Sequence, residues 1–123
     1  MGITYKIDTR VGVVYAVGSG NIGTEEIKSY RERLFTDPNY RAGLKGIYDY
    51  RKGRLKFSGD EARGLAQRGV DRSTEKRIAV VVSPDNYGFA RMYQGWAGED
   101  QDINVFTDMH SAREWIGLPP KEE

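Results

Sequence analysis

Alternation of apolar with polar or small residues predicts two strands at the start of the chain. Residues 3–8 and 12–17 show this alternation, which is typical of strands with one buried face. A tight turn near Arg10 joins them, so the two strands are predicted to pair antiparallel. The glycine-containing segment SGNIG (19–23) is predicted to end the second strand.

Three more strands are predicted further along the chain, at 46–50 (GIYDY), 77–82 (RIAVVV) and 103–106 (INVF). The segment 77–82 is apolar on both faces, which favours a central position in the sheet. Helices are predicted after the second to fifth strands. They cover residues 24–35, 59–68, 87–97 and 109–116, with Thr24, Ser58 and Asp108 as N-caps.

The order of these elements predicts the fold class. Strands that alternate with helices need crossover connections, so we expect an α/β fold with a mainly parallel five-stranded sheet and about four helices. The N-terminal strand pair supplies the antiparallel part of the sheet. A length of 123 residues suits one domain. We assign 1–118 to that domain and 119–123 to a solvated tail.

Composition narrows the function. Hydrophobic residues make up 38% and charged residues 30%, so a folded protein is expected. There is no cysteine, which excludes disulfides and thiolate chemistry. A net charge of +1 gives no general attraction for nucleic acid, so no nucleic-acid partner is expected. No signal or membrane-spanning segment is apparent, and a cytoplasmic location is expected.

The segment RKGRLK (51–56) concentrates positive charge. Such a segment is typical of a solvated loop. The alternative is contact with an anionic membrane surface, where each cation contributes about 1 kcal/mol and apolar insertion would also be needed. The cations concerned are Arg51, Lys52, Arg54 and Lys56.

The segment SPDNYGFARMYQGWAG (83–98) follows the predicted central strand. Gly88 is predicted in the first turn of a helix, where free N–H groups beside Arg91 could bind an anion. The alternative is that Arg91 pairs with Asp49 or another carboxylate at the carboxyl edge of the sheet, where open α/β sheets bind ligands. Neither glycine-rich phosphate motif is present.

An apolar stripe runs along the same predicted helix, with Phe89, Met92, Tyr93 and Trp96 at i, i+3, i+4 and i+7. Most stripes of this kind face a core. The alternative is a lid over an apolar pocket, because methionine adapts to varied ligands and the glycines in this segment weaken the helix.

No catalytic site is predicted. His110 is the single histidine, and no nucleophile motif or cluster of metal ligands surrounds it. An aspartate beside an arginine is more often a structural ion pair, so an uncharacterised activity around Asp49 and Arg91 is the remaining enzymatic alternative. No metal and no cofactor are expected.

Several segments together resemble one family of proteins. The likeness covers residues 10–117, and its most specific pieces are Asp49 with Arg51, Gly88 with Arg91-Met92-Tyr93, and Val105, Phe106, Ala112 and Trp115. The chain resembles the SpoIIAA-like (STAS-related) bacterial proteins, and the segments that carry this resemblance include GIYDYR, RIAVVVSPDNYGFARMYQGW and VFTDMHSAREWIGL. These proteins lie near the CRAL-TRIO lipid-binding proteins by fold. The resemblance implies helices that shift over an apolar cleft, together with membrane association.

One family motif is absent. STAS regulators that are switched by phosphorylation carry an Asp-Ser pair after the third strand, whereas here Ser58 stands nine residues beyond Asp49. Ser58 is therefore interpreted as a helix cap.

The leading functional prediction is a non-catalytic module that binds a small apolar or amphipathic ligand, including a lipid, at the membrane surface. Phe89, Met92, Tyr93 and Trp96 would line or cover the pocket, and Asp49, Arg51 and Arg91 would meet the polar end of the ligand. The alternative is a STAS-like regulatory module that binds a protein partner without the usual phosphoserine.

Overall fold

The order of strands and helices agrees with the predicted order. The computed structural model describes residues 2–72, 75–97 and 102–118; the predicted tail, 119–123, lies outside them. The described elements are β1 (Gly2–Asp8), β2 (Val13–Ile22), α1 (Thr24–Phe35), β3 (Lys45–Leu55), α2 (Gly59–Arg72), β4 (Arg77–Val81), α3 (Pro84–Ala97), β5 (Ile103–Phe106) and α4 (Met109–Ile116).

The five strands form one mixed sheet in which spatial order equals chain order. β1 pairs antiparallel with β2, and the remaining pairs are parallel. The predicted fold class is therefore confirmed. Because the parallel strands advance in one direction and crossovers are right-handed, α1, α2 and α3 all cover the same face of the sheet. The other face is left to α4, which packs on β3, β4 and β5.

Each face has its own core. The front face, on the side of Tyr48 and Tyr50, meets the three crossover helices, and its core includes Tyr30 and Leu65. The back face, on the side of Ile47, meets α4. The buried centre of its core is small and aliphatic, with Val13, Ile47, Ala79 and Val81 from the sheet and Ala112 and Ile116 from α4, and partly buried rings such as Phe106 and Trp115 pack against this centre.

Two strands are longer than predicted. β2 continues through SGNI to Ile22, and β3 continues through the basic segment to Leu55, with Ile22 opposite Leu55 in the register. The predicted strand break and solvated loop were therefore wrong. The physical reason is that residues 52–55 (KGRL) alternate, so that Lys52 and Arg54 are exposed while Gly53 is buried.

Glycine allows this extension to pack. A Cβ atom at Gly18 would lie 2.6 Å from Ile22 Cδ1 and 2.7 Å from Tyr50 Cδ1, so only glycine fits beneath these side chains. β3 also carries one extra residue relative to β2 between Asp49 and Lys52, which is a β-bulge. The strands therefore bend where the front face becomes crowded.

The helix starts are partly as predicted. Ser58 Oγ accepts from the Glu61 N–H at 3.1 Å, and the Ser58 N–H donates to Glu61 Oε1 at 2.8 Å, which is a capping box. Asp108 accepts from the Ser111 N–H at 2.7 Å. The N-cap of α1 is Gly23 rather than Thr24.

α3 begins earlier than expected, at Pro84. Proline is favoured at a first helical position because its missing N–H needs no partner there. Gly88 consequently lies beyond the first turn, where backbone N–H groups are already bonded within the helix. The backbone N–H of Gly88 is therefore not among the free groups that the anion-binding alternative required.

Candidate functional site

A cavity of about 80 Å³ lies between the front face and helices α1, α2 and α3. Its walls are mainly aromatic and aliphatic, and much of their surface comes from rings on both the sheet and the helices. The rings include those of Tyr30, Tyr48, Tyr50, Phe57, Phe89 and Tyr93.

Ring geometry explains why space remains at this position. Tyr30 and Tyr48 meet edge to face, with centroids 5.7 Å apart and planes at 85°. Phe57 and Phe89 meet at 5.1 Å and 77°. Edge-to-face rings are favoured by their quadrupoles, but they are rigid and cannot fill an irregular gap as a flexible side chain does.

Among the described residues that line this cavity, Arg31 is the one charged side chain. Its Nη1 donates to the Leu65 carbonyl on α2 at 2.6 Å, and its Nη2 donates to the Tyr93 hydroxyl on α3. Arg31 therefore links α1 to α2 and α3 by hydrogen bonds. It also places a positive charge on the wall of an apolar cavity.

The buried carboxylate of Glu75 is hydrogen-bonded to Tyr48, one of the rings that line the cavity. Glu75 is 7% exposed, and its two carboxylate oxygens lie 2.6 and 2.8 Å from the Tyr48 hydroxyl, which donates to them. Gly46 makes room for this group, because a Cβ at that position would collide with Glu75 Oε2. Burial raises the pKa of Glu75 to about 7, and the hydrogen bond from Tyr48 and the charge of Arg31 oppose that rise. Glu75 thus exchanges a proton near neutral pH.

The neighbouring tyrosines remain neutral. Burial, followed by the charge of Glu75, raises the pKa of both Tyr48 and Tyr30 well above the ordinary value. The Tyr30 hydroxyl is buried and interacts with Tyr48 without a hydrogen bond of good geometry. The front core therefore contains polar groups held inside aromatic packing.

The predicted stripe on α3 is divided between two environments. Phe89 and Tyr93 line the cavity, as does Ala90 between them. Trp96 does not line the cavity but packs with Ala66 and with Ile78, which does line it. Met92 is 41% exposed and does not line the cavity, because the helix turns its Ala90 and Tyr93 side toward the sheet.

The predicted polar end is not at this cavity. Asp49 and Arg51 form a bidentate pair, with Arg51 Nε 2.9 Å from Oδ1 and Nη2 2.8 Å from Oδ2. Because residues alternate along β3, Asp49 shares the back face with Ile47, so the sheet separates it from the cavity. Burial opposes ionisation of Asp49, but the hydrogen bonds and charge of Arg51 outweigh it and lower the pKa. Asp49 pairs with Arg51 rather than with Arg91, which is exposed on α3.

The predicted membrane-contact residues lie on or beside the extension of β3. Lys52 and Arg54 are exposed on the back face, and Lys56 is exposed just after the strand ends. Arg51 is also exposed, but its guanidinium is engaged by Asp49.

Sequence reasoning missed Arg31, Tyr48 and Glu75. A signal for Arg31 existed, since it follows Ile27 by four residues and so lies beside the predicted apolar face of α1. A signal for Tyr48 existed in its alternation with Tyr50. Glu75 had none, because the charged segment around it is typical of solvent exposure.

The sheet order and the placement of helices define a SpoIIAA-like α/β fold. A crystal structure of an uncharacterized protein from the DUF3478 family with a SpoIIAA-like fold, from Shewanella loihica, matches this chain with a TM-score of 0.65. The match covers 93% of each chain at 15% sequence identity, and at that identity it shows the fold alone. No protein-family model matches the sequence, and no curated protein does so either. The nearness to CRAL-TRIO proteins stays a prediction.

Proposed function

We propose that the protein is a non-catalytic binding module that holds a small apolar or amphipathic ligand between the front face and helices α1–α3. The observation that supports this most directly is the cavity itself. Its described lining combines aromatic walls with one charged side chain, Arg31, which is the usual composition of a small-molecule pocket.

The cavity must enlarge to accept most ligands. Its 80 Å³ is well below the roughly 300 to 1,000 Å³ of typical ligand pockets. The element that would move is α3, since Gly88 and Gly95 lower its helical stability. Within the described residues, its side-chain hydrogen bonds to other elements join Tyr93 to Arg31, the Tyr93 hydroxyl to the Leu65 carbonyl at 3.4 Å, Gln94 Nε2 to the Ile103 carbonyl at 2.7 Å, and Asn86 Nδ2 to the Gly53 carbonyl at 3.1 Å.

Binding can be tested with a neutral fluorescent probe such as Nile red, together with native mass spectrometry of protein purified without detergent. Ala90→Leu adds three carbon atoms to the cavity wall and is expected to weaken probe binding at least fivefold. Met92→Ala, on the exposed side of the same helix, is the matched control and is expected to bind as the wild type does. Equal binding by all three proteins would place the probe elsewhere and count against the proposal.

A regulatory module that binds a protein partner is the second candidate. The small volume of the cavity favours it, because a module that works through its surface needs no interior space. Ala90→Leu distinguishes the two candidates. A partner that the wild type and Ala90→Leu retain equally in a pull-down, with no small molecule in the native mass spectrum, would support the regulatory module.

We also propose that the basic end of β3 contacts anionic membranes. Lys52 and Arg54 project from the back face, where Val17 on the adjacent strand is 48% exposed and offers apolar surface beside the charge. Every helix in the described part of the chain is too short or too polar to cross a bilayer, so contact would be peripheral.

Vesicle sedimentation tests this surface. Vesicles with 30% phosphatidylserine are expected to bind the wild type at low salt and to lose it after Lys52→Glu/Arg54→Glu. The control Lys28→Glu/Arg41→Glu makes the same charge change outside β3 and is expected to retain binding. Equal loss in both variants would show a general charge effect instead of a defined surface.

A further inference from the structure

The guanidinium of Arg31 has binding capacity that the fold does not use. Two of the five N–H groups of a guanidinium are engaged, by the Leu65 carbonyl and the Tyr93 hydroxyl. The others make no hydrogen bond within residues 2–72, 75–97 and 102–118, and Arg31 forms no ion pair with a carboxylate of those residues. The buried Glu75 carboxylate is close enough for the charge of Arg31 to lower its pKa, but its oxygens accept from the Tyr48 hydroxyl and form no ion pair with Arg31. The cavity therefore has on its wall a guanidinium with N–H groups that no carboxylate of the described residues occupies.

The surroundings of Arg31 restrict the anion that would complement it. A planar guanidinium matches a planar carboxylate through paired hydrogen bonds. The cavity that Arg31 lines is walled by rings such as Tyr50 and Phe89, which favour an aromatic or branched apolar body. A fully hydrated phosphate dianion would lose far more solvation in so small and apolar a space.

We infer that the front cavity takes small monocarboxylic acids with an aromatic or branched apolar body, and that the carboxylate binds to the free N–H groups of Arg31. This inference rests on the proposed function and gives it a ligand class. It also assigns the polar end of the site to α1, in place of Asp49 and Arg51 on the opposite face of the sheet.

Matched pairs of acids and amides test the charge alone. Phenylacetate is compared with phenylacetamide, and 4-methylvalerate with 4-methylvaleramide, by NMR chemical-shift titration at pH 7.5. The wild type is expected to bind each acid about tenfold more tightly than its amide, as charge-assisted hydrogen bonds require. In Arg31→Gln the ratio is expected to fall to about one, while the amides still bind and so report an intact cavity.

Two further variants separate binding from the structural role of Arg31. Tyr93→Phe removes one tie between α1 and α3 but leaves the guanidinium, so the preference for acids is expected to persist. Arg31→Lys keeps the charge without the planar fork, and the preference is expected to fall several-fold. If Arg31→Gln does not fold, the ratio of acid to amide affinity in Arg31→Lys tests the inference in its place.

The outcomes that contradict the inference are distinct from failure of the proposed function. Acids and amides that bind the wild type equally would overturn the carboxylate assignment and leave the ligand-binding proposal standing. A preference for acids that survives in both Arg31 variants would place the carboxylate elsewhere and overturn it as well. If neither member of any pair binds the wild type, the inference fails, and the Nile red experiment then decides separately whether the proposed function stands.

Discussion

The two faces of the sheet are packed by different kinds of side chain. On the back face, Ala79 and Ala112 are fully buried and allow α4 to approach the sheet closely, with Ile47 and Val81 filling the remaining space. On the front face, rings such as Tyr30, Tyr48 and Tyr50 pack beside aliphatic residues, and about 80 Å³ stays open between them.

The difference shows how polar tips shape a core. A buried alanine or valine needs only close contact, so small aliphatic residues produce a dense layer. A tyrosine hydroxyl in a core is stabilised by a hydrogen-bond partner, as Tyr48 has in Glu75 and the half-buried Tyr93 has in Arg31. The buried Tyr30 hydroxyl has no such bond of good geometry. A side chain that needs both close contact and a hydrogen-bond partner packs less completely than an aliphatic one. The front face therefore contains a polar network and a cavity side by side.

The largest expected effect comes from the buried acid of the front face. The pKa of Glu75 is about 7 in the folded protein and about 4.5 when unfolded, so the folded state holds the proton more tightly. Stability from this group is greatest below pH 4.5 and falls as pH rises to 7, by about 3 kcal/mol in total. Glutamine at position 75 cannot ionise. The free energy of unfolding of Glu75→Gln, relative to that of the wild type, should therefore rise by about 3 kcal/mol between pH 4.5 and 8.

Urea denaturation across this pH range measures the difference. Asp49→Asn is the control on the back face. Because the pKa of Asp49 is lowered from 3.8, this variant should run parallel to the wild type above pH 5. Parallel curves for Glu75→Gln and the wild type would show that the buried acid does not titrate in this range.

The next effect compares the packing of the two faces directly. Ala112→Leu overfills the back core and should lower the free energy of unfolding by about 2 kcal/mol. Ala90→Leu makes the same change beside the cavity and should cost less than about 1 kcal/mol, because space is present. Chemical denaturation of both variants gives the values. Equal costs would remove the distinction between a dense face and an open one.

A smaller effect concerns the helix that covers the front face. A Cβ atom at Gly88 would have no heavy atom within 4 Å, so Gly88→Ala should stabilise the protein by about 1 kcal/mol through helix propensity. Thermal unfolding checks this. Gly18→Ala is the counterpart and should destabilise the protein, since its Cβ would meet Tyr50. A loss of stability in Gly88→Ala would show that the space around Gly88 is already filled.

The smallest effect is expected at the ion pair of the back face. Arg51→Ala removes the bidentate contact with Asp49, but Arg51 is exposed, so the cost should be about 0.5 kcal/mol. Ligand binding should not change, because the sheet lies between this pair and the cavity. Weakened binding of the fluorescent probe by Arg51→Ala would contradict the separation of the two faces.

Local patterns were enough to predict the element order and the mainly parallel sheet. Alternation and helix caps such as Ser58 and Asp108 act over a few residues, and the structure retains them. The extension of β3 was missed because charge in residues 51–56 obscured an alternation that was present. The space that Gly46 leaves for the Glu75 carboxylate could not be predicted from the sequence, since the two residues become neighbours only when β3, β4 and the helices assemble.

The identity of spatial and chain order in the sheet has a consequence for biosynthesis. Each new strand can join an edge that the preceding residues have already built, so the front half of the molecule can form progressively while the ribosome is still adding residues. α4 comes after β5, so the aliphatic surface around Ile47 stays uncovered until this eight-residue helix emerges. During translation, this exposed aliphatic surface is the expected binding site for a chaperone.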